Sequence, residues 1–228
     1  SYAGLLLEDE VSTLTKILDN PPKPFVVVLG GAKCHTKIPL IEKLLPQADA
    51  ILVGGIIANT FLKSNHTNIG DSILEKDFVE EGKLLIKNNK IILPTDVVCD
   101  DLITKKVEAE VKNLDEISKT DRIIDIGTKT TVEYASILRS AKTVLWNGPL
   151  GWIEKRQGSH ASEALAEYLA AMSASGKAKT IIGGGETLSV VSRLNLLDDM
   201  TFLSTGGGAM LEFLINTNLP GIKPYIKK

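Results

Sequence analysis

Short apolar runs alternate along this chain with longer stretches in which apolar residues recur every three or four positions. Phe25-Val26-Val27-Val28-Leu29, Ala50-Ile51-Leu52-Val53, Lys142-Thr143-Val144-Leu145-Trp146 and Thr180-Ile181-Ile182 are continuous and rich in β-branched residues. That is the pattern of parallel strands buried on both faces. Helical spacing returns after each one, over Ile38 to Leu45, Ile57 to Lys63, Ser162 to Met172, Thr187 to Leu194 and Ala209 to Ile215. Ahead of the first strand, Leu7, Val11, Leu14 and Leu18 share one face of an amphipathic helix over residues 4 to 18, stopped by Asn20-Pro21-Pro22. Leu5 points away from that face and is read as covering an interface. Right-handed crossovers turn a repeated βα pattern into an open parallel sheet with helices on both faces. The fold class expected is therefore α/β, a doubly wound three-layer α/β/α arrangement.

The period changes between Lys90 and Ile126. Ile91-Ile92-Leu93-Pro94 and Asp96-Val97-Val98-Cys99 read as short strands, and a charged stretch runs from Lys105 to Lys119. A small antiparallel β insertion over about 90–126 is expected there. Asp100-Asp101 and Lys105-Lys106 are read as solvated surface.

With 228 residues and 43% hydrophobic content, the chain is long enough to bury a core as one large domain. A net charge of −2 supplies no broad basic field, which argues against extended binding to nucleic acid or an anionic membrane. Any phosphate site must then be local. Cys34 and Cys99 are the two cysteines, too few for a disulfide framework and read as core thiols. No apolar stretch reaches the length of a membrane span, and the first residues lack a basic-then-apolar export signal. A cytoplasmic protein is expected.

The candidate chemistry lies where strands end. Gly30-Gly31-Ala32-Lys33, Gly148-Pro149-Leu150-Gly151, Gly183-Gly184-Gly185-Glu186 and Gly206-Gly207-Gly208 each follow an apolar run. A glycine turn lets the backbone approach phosphate oxygens, and a helix opening from it aims N–H groups at the anion. Neither a P-loop nor a dinucleotide fingerprint is present. In their place, Lys33 and Lys37 stand four residues apart, at the spacing of one helical face, beside the first turn. Cations avoid a helix start, so lysines there suggest phosphate neutralisation rather than a solvated pair. Thr187 and Thr205 add hydroxyls near two of the turns. Glu186 is the candidate Mg²⁺ ligand, since nucleotide-bound Mg²⁺ takes one or two carboxylates, and equally reads as a first-turn helix acid. Trp146 ends a strand and reads as core.

Pro24 to Lys37, Ala58-Asn59-Thr60-Phe61-Leu62, Trp146-Asn147-Gly148-Pro149, Gly183 to Thr187 and Ser204 to Ala209 together resemble the phosphoglycerate kinase family. The resemblance covers essentially the whole chain and is specific to the carboxyl-terminal, nucleotide-binding half of that two-domain enzyme. It implies an interdomain-type helix and connector over 1–22, a nucleotide-binding domain over 23–228, and an amino-terminal acceptor-binding domain absent from this chain.

The activity it implies is reversible phosphoryl transfer between 1,3-bisphosphoglycerate and ADP, giving 3-phosphoglycerate and ATP in glycolysis. ATP or ADP and Mg²⁺ are the implied cofactors, the amino-terminal half is the implied partner, and a monomer is expected. Lys37 is implied to contact the phosphates and the migrating phosphoryl group, with Lys33 in support and the Gly206-Gly207-Gly208 helix start helping to hold that group. Gly31, Ala32, Gly54, Gly55, Pro149 and Trp152 are implied to line the adenine pocket, and Glu154 to accept from the ribose hydroxyls. Gly184, Gly185, Glu186 and Thr187 are implied to cradle the terminal phosphates and the metal, with Asn147 beside them.

Four positions depart from the family pattern: Glu186 stands for Asp, Ile56 for Gly or Ala, Thr36 for Asp and Thr128 for Pro. Glu186, Ile56 and Thr36 motivate an alternative, a non-catalytic nucleotide sensor or interaction module of the same fold. The transfer itself needs no general base, because the acceptor is a carboxylate that is ionised at neutral pH. His35, His66 and His160 are accordingly given no catalytic role. Arg122, Arg139, Arg156 and Arg193 are too scattered to form a triose-phosphate pocket.

Overall fold

The computed structural model describes residues 5–101 and 109–216. Helix α1 (Leu5–Asp19) precedes β1 (Phe25–Leu29), α2 (Cys34–Leu44), β2 (Ala50–Val53), α3 (Gly55–Ser64), α4 (Val79–Leu85) and β3 (Ile91–Ile92). Three antiparallel strands follow, β4 (Asp96–Asp101), β5 (Glu110–Asn113) and β6 (Asp121–Ile126). The chain then resumes the βα alternation through α5 (Thr128–Leu138), β7 (Thr143–Asn147), α6 (His160–Ala174), β8 (Lys179–Gly183), α7 (Gly185–Arg193), β9 (Phe202–Ser204) and α8 (Gly208–Ile215).

Six strands form one sheet in the order β3-β2-β1-β7-β8-β9, and every pair is parallel. Alternate side chains along each strand enter different cores, the period-2 geometry of a strand buried on both faces. Phe25, Val27, Leu29, Ile51, Val53, Leu145 and Ile181 pack with α1, α2, α3 and α8. Val26, Val28, Leu52, Val144, Trp146 and Ile182 pack with α5, α6 and α7. The three-layer α/β/α reading therefore holds, and Trp146 is fully buried as read. Cys34 and Cys99 are both buried and unbridged. Among the described residues no helix is long and apolar enough to cross a membrane.

The insertion needs one correction. Ile91 and Ile92 pair in parallel with Ile51 and Leu52, so they form the edge of the main sheet rather than part of the antiparallel unit. Only β4, β5 and β6 are antiparallel, in the order β5-β4-β6 around Val97, Cys99 and Ile117. Two isoleucines suit either kind of strand, so the run itself carries no sign of its partner. Helices α4 and α5 were not anticipated. The fully or nearly buried face of α5 is Thr130, Tyr134 and Leu138, while Val132 is 64% exposed, which blurs the apolar stripe. In α1, Leu14 and Leu18 are buried and Val11 is half-buried, as the amphipathic reading requires. The side chains of Leu5 and Leu7 lie outside those described, and Ser1 to Gly4, Lys105 and Lys106 lie outside the described residues.

Helix α5 is fastened by two polar anchors. Asp96 is 3% exposed, and its carboxylate accepts N–H bonds from Lys129 at 3.0 Å and Thr130 at 2.7 Å, capping the helix start. A Cβ at Gly127 would lie 2.2 Å from that carboxylate, so the position requires glycine. Tyr134 donates its hydroxyl to the Val53 carbonyl at 2.7 Å and lies 3.0 Å from the Ile92 carbonyl, tying the helix to β2 and β3. Tyr134→Phe keeps the ring packing and removes this link. Urea denaturation is expected to show a loss of about 1–3 kcal/mol, the usual consequence of stripping buried carbonyls of a donor.

Candidate functional site

Five strands of the parallel sheet deliver glycine turns to its carboxyl edge, and hydrogen bonds join the turns to one another. Gly31 N–H donates to the Pro149 carbonyl at 2.8 Å, Gly55 N–H to the Leu150 carbonyl at 2.6 Å, and Ile56 N–H to the Gly31 carbonyl at 3.0 Å. Gly148 N–H donates to the Thr187 hydroxyl at 2.7 Å, joining the ends of β7 and β8. The approach excludes side chains: a Cβ at Gly148 would lie 2.2 Å from the Gly30 carbonyl oxygen, and Gly148 itself has φ of +92°. The turn after β9 joins through Met210, whose sulfur lies 4.0 Å from Asn147 Nδ2 and occupies the space where a Gly183 side chain would be.

The turns accordingly differ in what their amides do. The Gly148 amide is committed to Thr187, and the Gly206 amide donates to Glu10 Oε1 of α1 at 3.2 Å, which also accepts from Ser204 Oγ. The expectation that each glycine stop aims free N–H groups at an anion does not extend to these two amides, nor to those of Gly30 and Gly31, which donate to the Asn147 and Pro149 carbonyls. Helices α2, α7 and α8 start at Cys34, Gly185 and Gly208 with no side-chain cap.

Lys37 is the chemical centre of this edge. It is 5% exposed, and its ammonium donates to Asn147 Oδ1 and lies 3.4 Å from the Asn147 carbonyl. Burial pushes the Lys37 ammonium down to about 8; Glu186 opposes that shift and Lys33 adds to it. Lys33 itself is exposed and stands as the non-helical cap residue of α2, with φ −106° and ψ 87°. The two lysines therefore do not share a helical face as their spacing suggested. One is buried beneath the strand ends and the other lies on the surface above.

A cavity of about 260 Å³ opens beside this cluster. Gly31, Ala32, Gly55, Pro149, Trp152, Glu154 and Glu186 line it, so these candidates meet around one cavity. Gly54 sits beneath Leu150 instead, where a Cβ would lie 2.6 Å from that side chain. Lys33, Lys37, Asn147, Gly184, Gly185, Thr187, Gly207 and Gly208 lie outside the cavity lining, at strand ends, turns and first helical turns of the same edge. Thr187 is fully buried, and its hydroxyl accepts the Gly148 N–H.

Several lining residues were missed by sequence reading: Asn59, Ile73, Arg122 and Asp125. Asp125 is 1% exposed and accepts N–H bonds from Ala161 and Ile126, yet burial pushes its carboxyl up to about 8, with Glu163 adding to the shift. A single buried aspartate at a strand end carries no signal of this kind in sequence. Ile73 follows an unremarkable loop, and nothing before the fold places it opposite Trp152.

Among the described residues no group of three or more His, Cys, Asp or Glu side chains forms a metal cage. One exposed carboxylate, Glu186, faces the Gly31 turn, and its charge acts on the Lys37 ammonium. That donor set suits a metal whose other ligands are phosphate oxygens and water, and not a metal held by protein alone.

Residues 1–216 match the family model for phosphoglycerate kinase. The phosphoglycerate kinase of Coxiella burnetii is 42% identical over 97% of this chain and 57% of its own length, and that of Herpetosiphon aurantiacus is 41% identical over 97% and 57%. The solved structure of the Coxiella burnetii enzyme superposes with a TM-score of 0.89 at 42% identity. That of the Pyrococcus horikoshii OT3 enzyme gives 0.82 at 27% identity, covering 96% of this chain and 56% of the other. The chain thus spans a little over half the length of these relatives.

The Lys37 environment sets a measurable pH dependence. Its folded value of about 8 lies below the ordinary 10.5, so between those values the unfolded chain binds more protons than the folded one. Stability contributed at this position is therefore present above the ordinary value and lost as pH falls through the folded one. Urea denaturation from pH 7 to 10.5 is expected to show the stability of the native chain rising relative to Lys37→Met, by about 3 kcal/mol in all. A flat difference across that range contradicts the assignment.

Proposed function

This chain belongs to the phosphoglycerate kinase family, and on that premise we propose that it is the nucleotide-binding half of such a kinase. In this reading residues 1–22 are the connecting helix and its linker, and residues 23–228 the nucleotide-binding domain. The half binds MgADP or MgATP at the carboxyl edge of the parallel sheet. The acceptor, 3-phosphoglycerate or its acyl phosphate, is supplied by an amino-terminal half. The chain alone binds nucleotide with little or no turnover.

One observation carries this reading: a buried ammonium, Lys37, is held against Asn147 where the ends of β1, β7 and β8 converge. Burying a cation with no directly bonded carboxylate is unfavourable unless an anion arrives to use it. A nucleotide phosphate beside the uncapped starts of α2 and α7 supplies that anion. Lys37 then bridges the transferred group, Lys33 adds positive charge from the surface, and the start of α8 at Gly207 and Gly208 completes the cradle. The base lies between the Gly31-Ala32 and Gly55 turns on one side and Pro149 and Trp152 on the other, with Glu154 at the ribose.

Glu186 is the residue that would hold Mg²⁺, which when bound neutralises charge on the phosphate oxygens. Phosphoryl transfer then requires mainly positioning and charge stabilisation from the chain. In the direction of ATP synthesis the bond from phosphorus to the acyl oxygen breaks as the bond to the ADP β-phosphate oxygen forms. The departing carboxylate takes no proton, consistent with the absence of any called-upon base.

Calorimetry with ADP and Mg²⁺ tests the binding step, and a coupled kinase assay with and without an added amino-terminal half tests the division of labour. Binding without turnover, with activity restored by the added half, is the expected outcome; no ADP binding at all overturns the proposal. Lys37→Met is expected to weaken ADP by at least about tenfold, the scale of a charge-assisted hydrogen bond. An arriving phosphate raises the Lys37 value above 8, so ADP binding is expected to take up protons at pH 9 and to weaken as pH climbs through that region. Heats measured in buffers of different ionisation enthalpy read this directly. Glu186→Asp separates the kinase from a nucleotide-independent interaction module: metal-dependent ADP affinity changes in the first and not in the second.

A further inference from the structure

Trp152 stands at the cavity mouth, 38% exposed, with its ring contacted by a cation from outside the cavity. Lys155 Nζ lies 4.8 Å from the centre of the ring. That ammonium is hydrogen-bonded to Asp100 Oδ2 near the end of β4, in the small antiparallel sheet. Trp152 lines the cavity, and Lys155 and Asp100 do not. The cation therefore covers one face of the ring and leaves the other face without a cation.

The backbone enforces this arrangement. Trp152 N–H donates to the Ile124 carbonyl at 2.7 Å, and Lys155 N–H donates back to the Trp152 carbonyl at 3.0 Å, so a tight turn returns Lys155 over the indole. Asp100 then pins the far end of the lysine from a strand 55 residues away in sequence. A partly exposed indole without such contacts would lose rotamer freedom on stacking against a ligand. Here that freedom is already restricted before anything binds, which is the general route by which preorganisation raises affinity.

The geometry points to Lys155, held by Asp100, as a positioning residue that fixes the Trp152 indole as a one-faced stacking platform for a purine base. This rests on the nucleotide reading above. A purine covers more of an indole than a pyrimidine does, so the platform favours purine nucleotides over UDP. Stacking acts on the base alone and leaves the phosphate contacts of Lys37 untouched.

Calorimetry and tryptophan fluorescence with ADP, UDP and inorganic tripolyphosphate test the assignment on the 228-residue chain. Trp146 donates its indole N–H to the Gly148 carbonyl, so Trp152→Phe separates the two emissions, and a nucleotide-dependent change absent from that variant reports Trp152. Lys155→Met is expected to weaken ADP about three- to fivefold and Asp100→Asn in the same direction, with Lys155→Arg within about twofold of the unmodified chain, while tripolyphosphate binds all of them alike. The emission response to ADP shrinks in the two weakened variants, and UDP binds more weakly than ADP to the unmodified chain. Unchanged ADP affinity in both variants overturns the proposal, as does an equal loss for tripolyphosphate, which would mark the pair as merely structural. Failure of the unmodified chain to bind ADP is a different result, since it removes the nucleotide reading itself and this proposal with it.

Discussion

The site depends on a contact between two stretches of bare backbone. The turns leaving β1 and β7 cross so closely that a Cβ at Gly30 would lie 1.9 Å from the Pro149 carbonyl oxygen, and one at Gly148 would lie 2.2 Å from the Gly30 carbonyl oxygen. Side chains cannot enter that crossing, and the amides of Gly30 and Gly31 close it with bonds to the Asn147 and Pro149 carbonyls. Because β1 and β7 are adjacent in the sheet, the crossing is a local event that a single register defines. Everything else at the edge is measured from it: Asn147 below, the Gly55 turn beside it, and Thr187 reaching back from α7 to the Gly148 amide. Rigidity here is what lets a buried ammonium be held without an ion-pair partner.

That ammonium has a counterpart in Asp125, which lines the neighbouring cavity. Burial pushes Lys37 down to about 8 and Asp125 up to about 8, so each is driven towards its neutral form. The physical cause is shared, loss of water around a charge, and the signs differ only because one group is a cation and the other an acid. Their effects on stability oppose each other. The Asp125 contribution is fully present below the ordinary carboxylate value and lost as pH rises through about 8, whereas the Lys37 contribution appears above that point. Burial shifts other core groups in the same way, the Cys34 and Cys99 thiols among them, so the shifts by themselves mark burial and not function.

The architecture was legible in sequence because buried parallel strands write themselves as continuous β-branched runs, and Phe25 to Leu29 and Ala50 to Val53 emerged with those bounds. The glycines were legible for a related reason, since a strand end that must pass close to another backbone tolerates little else. What sequence does not display is the partner of each group. Nothing in Ile91-Ile92 says that it joins the parallel sheet, and the spacing of Lys33 and Lys37 suggests a shared face when the first residue is a non-helical cap. The Gly206 turn looks free in sequence, but its amide meets Glu10, almost two hundred positions earlier. The second wall of the cavity, with Ile73, Arg122 and Asp125, is assembled from segments whose local pattern gives no hint that they meet.

These two levels of legibility follow a division within the site itself. One part of the edge is made of backbone, helix starts and one buried lysine, features that narrow residue choice to glycine, a small polar residue or lysine. The cavity beside it is lined by side chains, Ile56, Ile73, Pro149 and Trp152 among them, whose shape can change without disturbing the crossing of β1 and β7. The departures from the family pattern sort along this line. Ile56 lines the cavity, while its N–H still bonds the Gly31 carbonyl at 3.0 Å. Thr36 turns its hydroxyl back to the Lys33 carbonyl at 3.0 Å, and Thr128 begins α5, each leaving the crossing intact. Glu186 is the exception, because it faces the Gly31 turn from the start of α7 and is felt by Lys37. Variation in the lining alters the shape of the cavity, whereas variation at Glu186 reaches the charge balance around the buried ammonium.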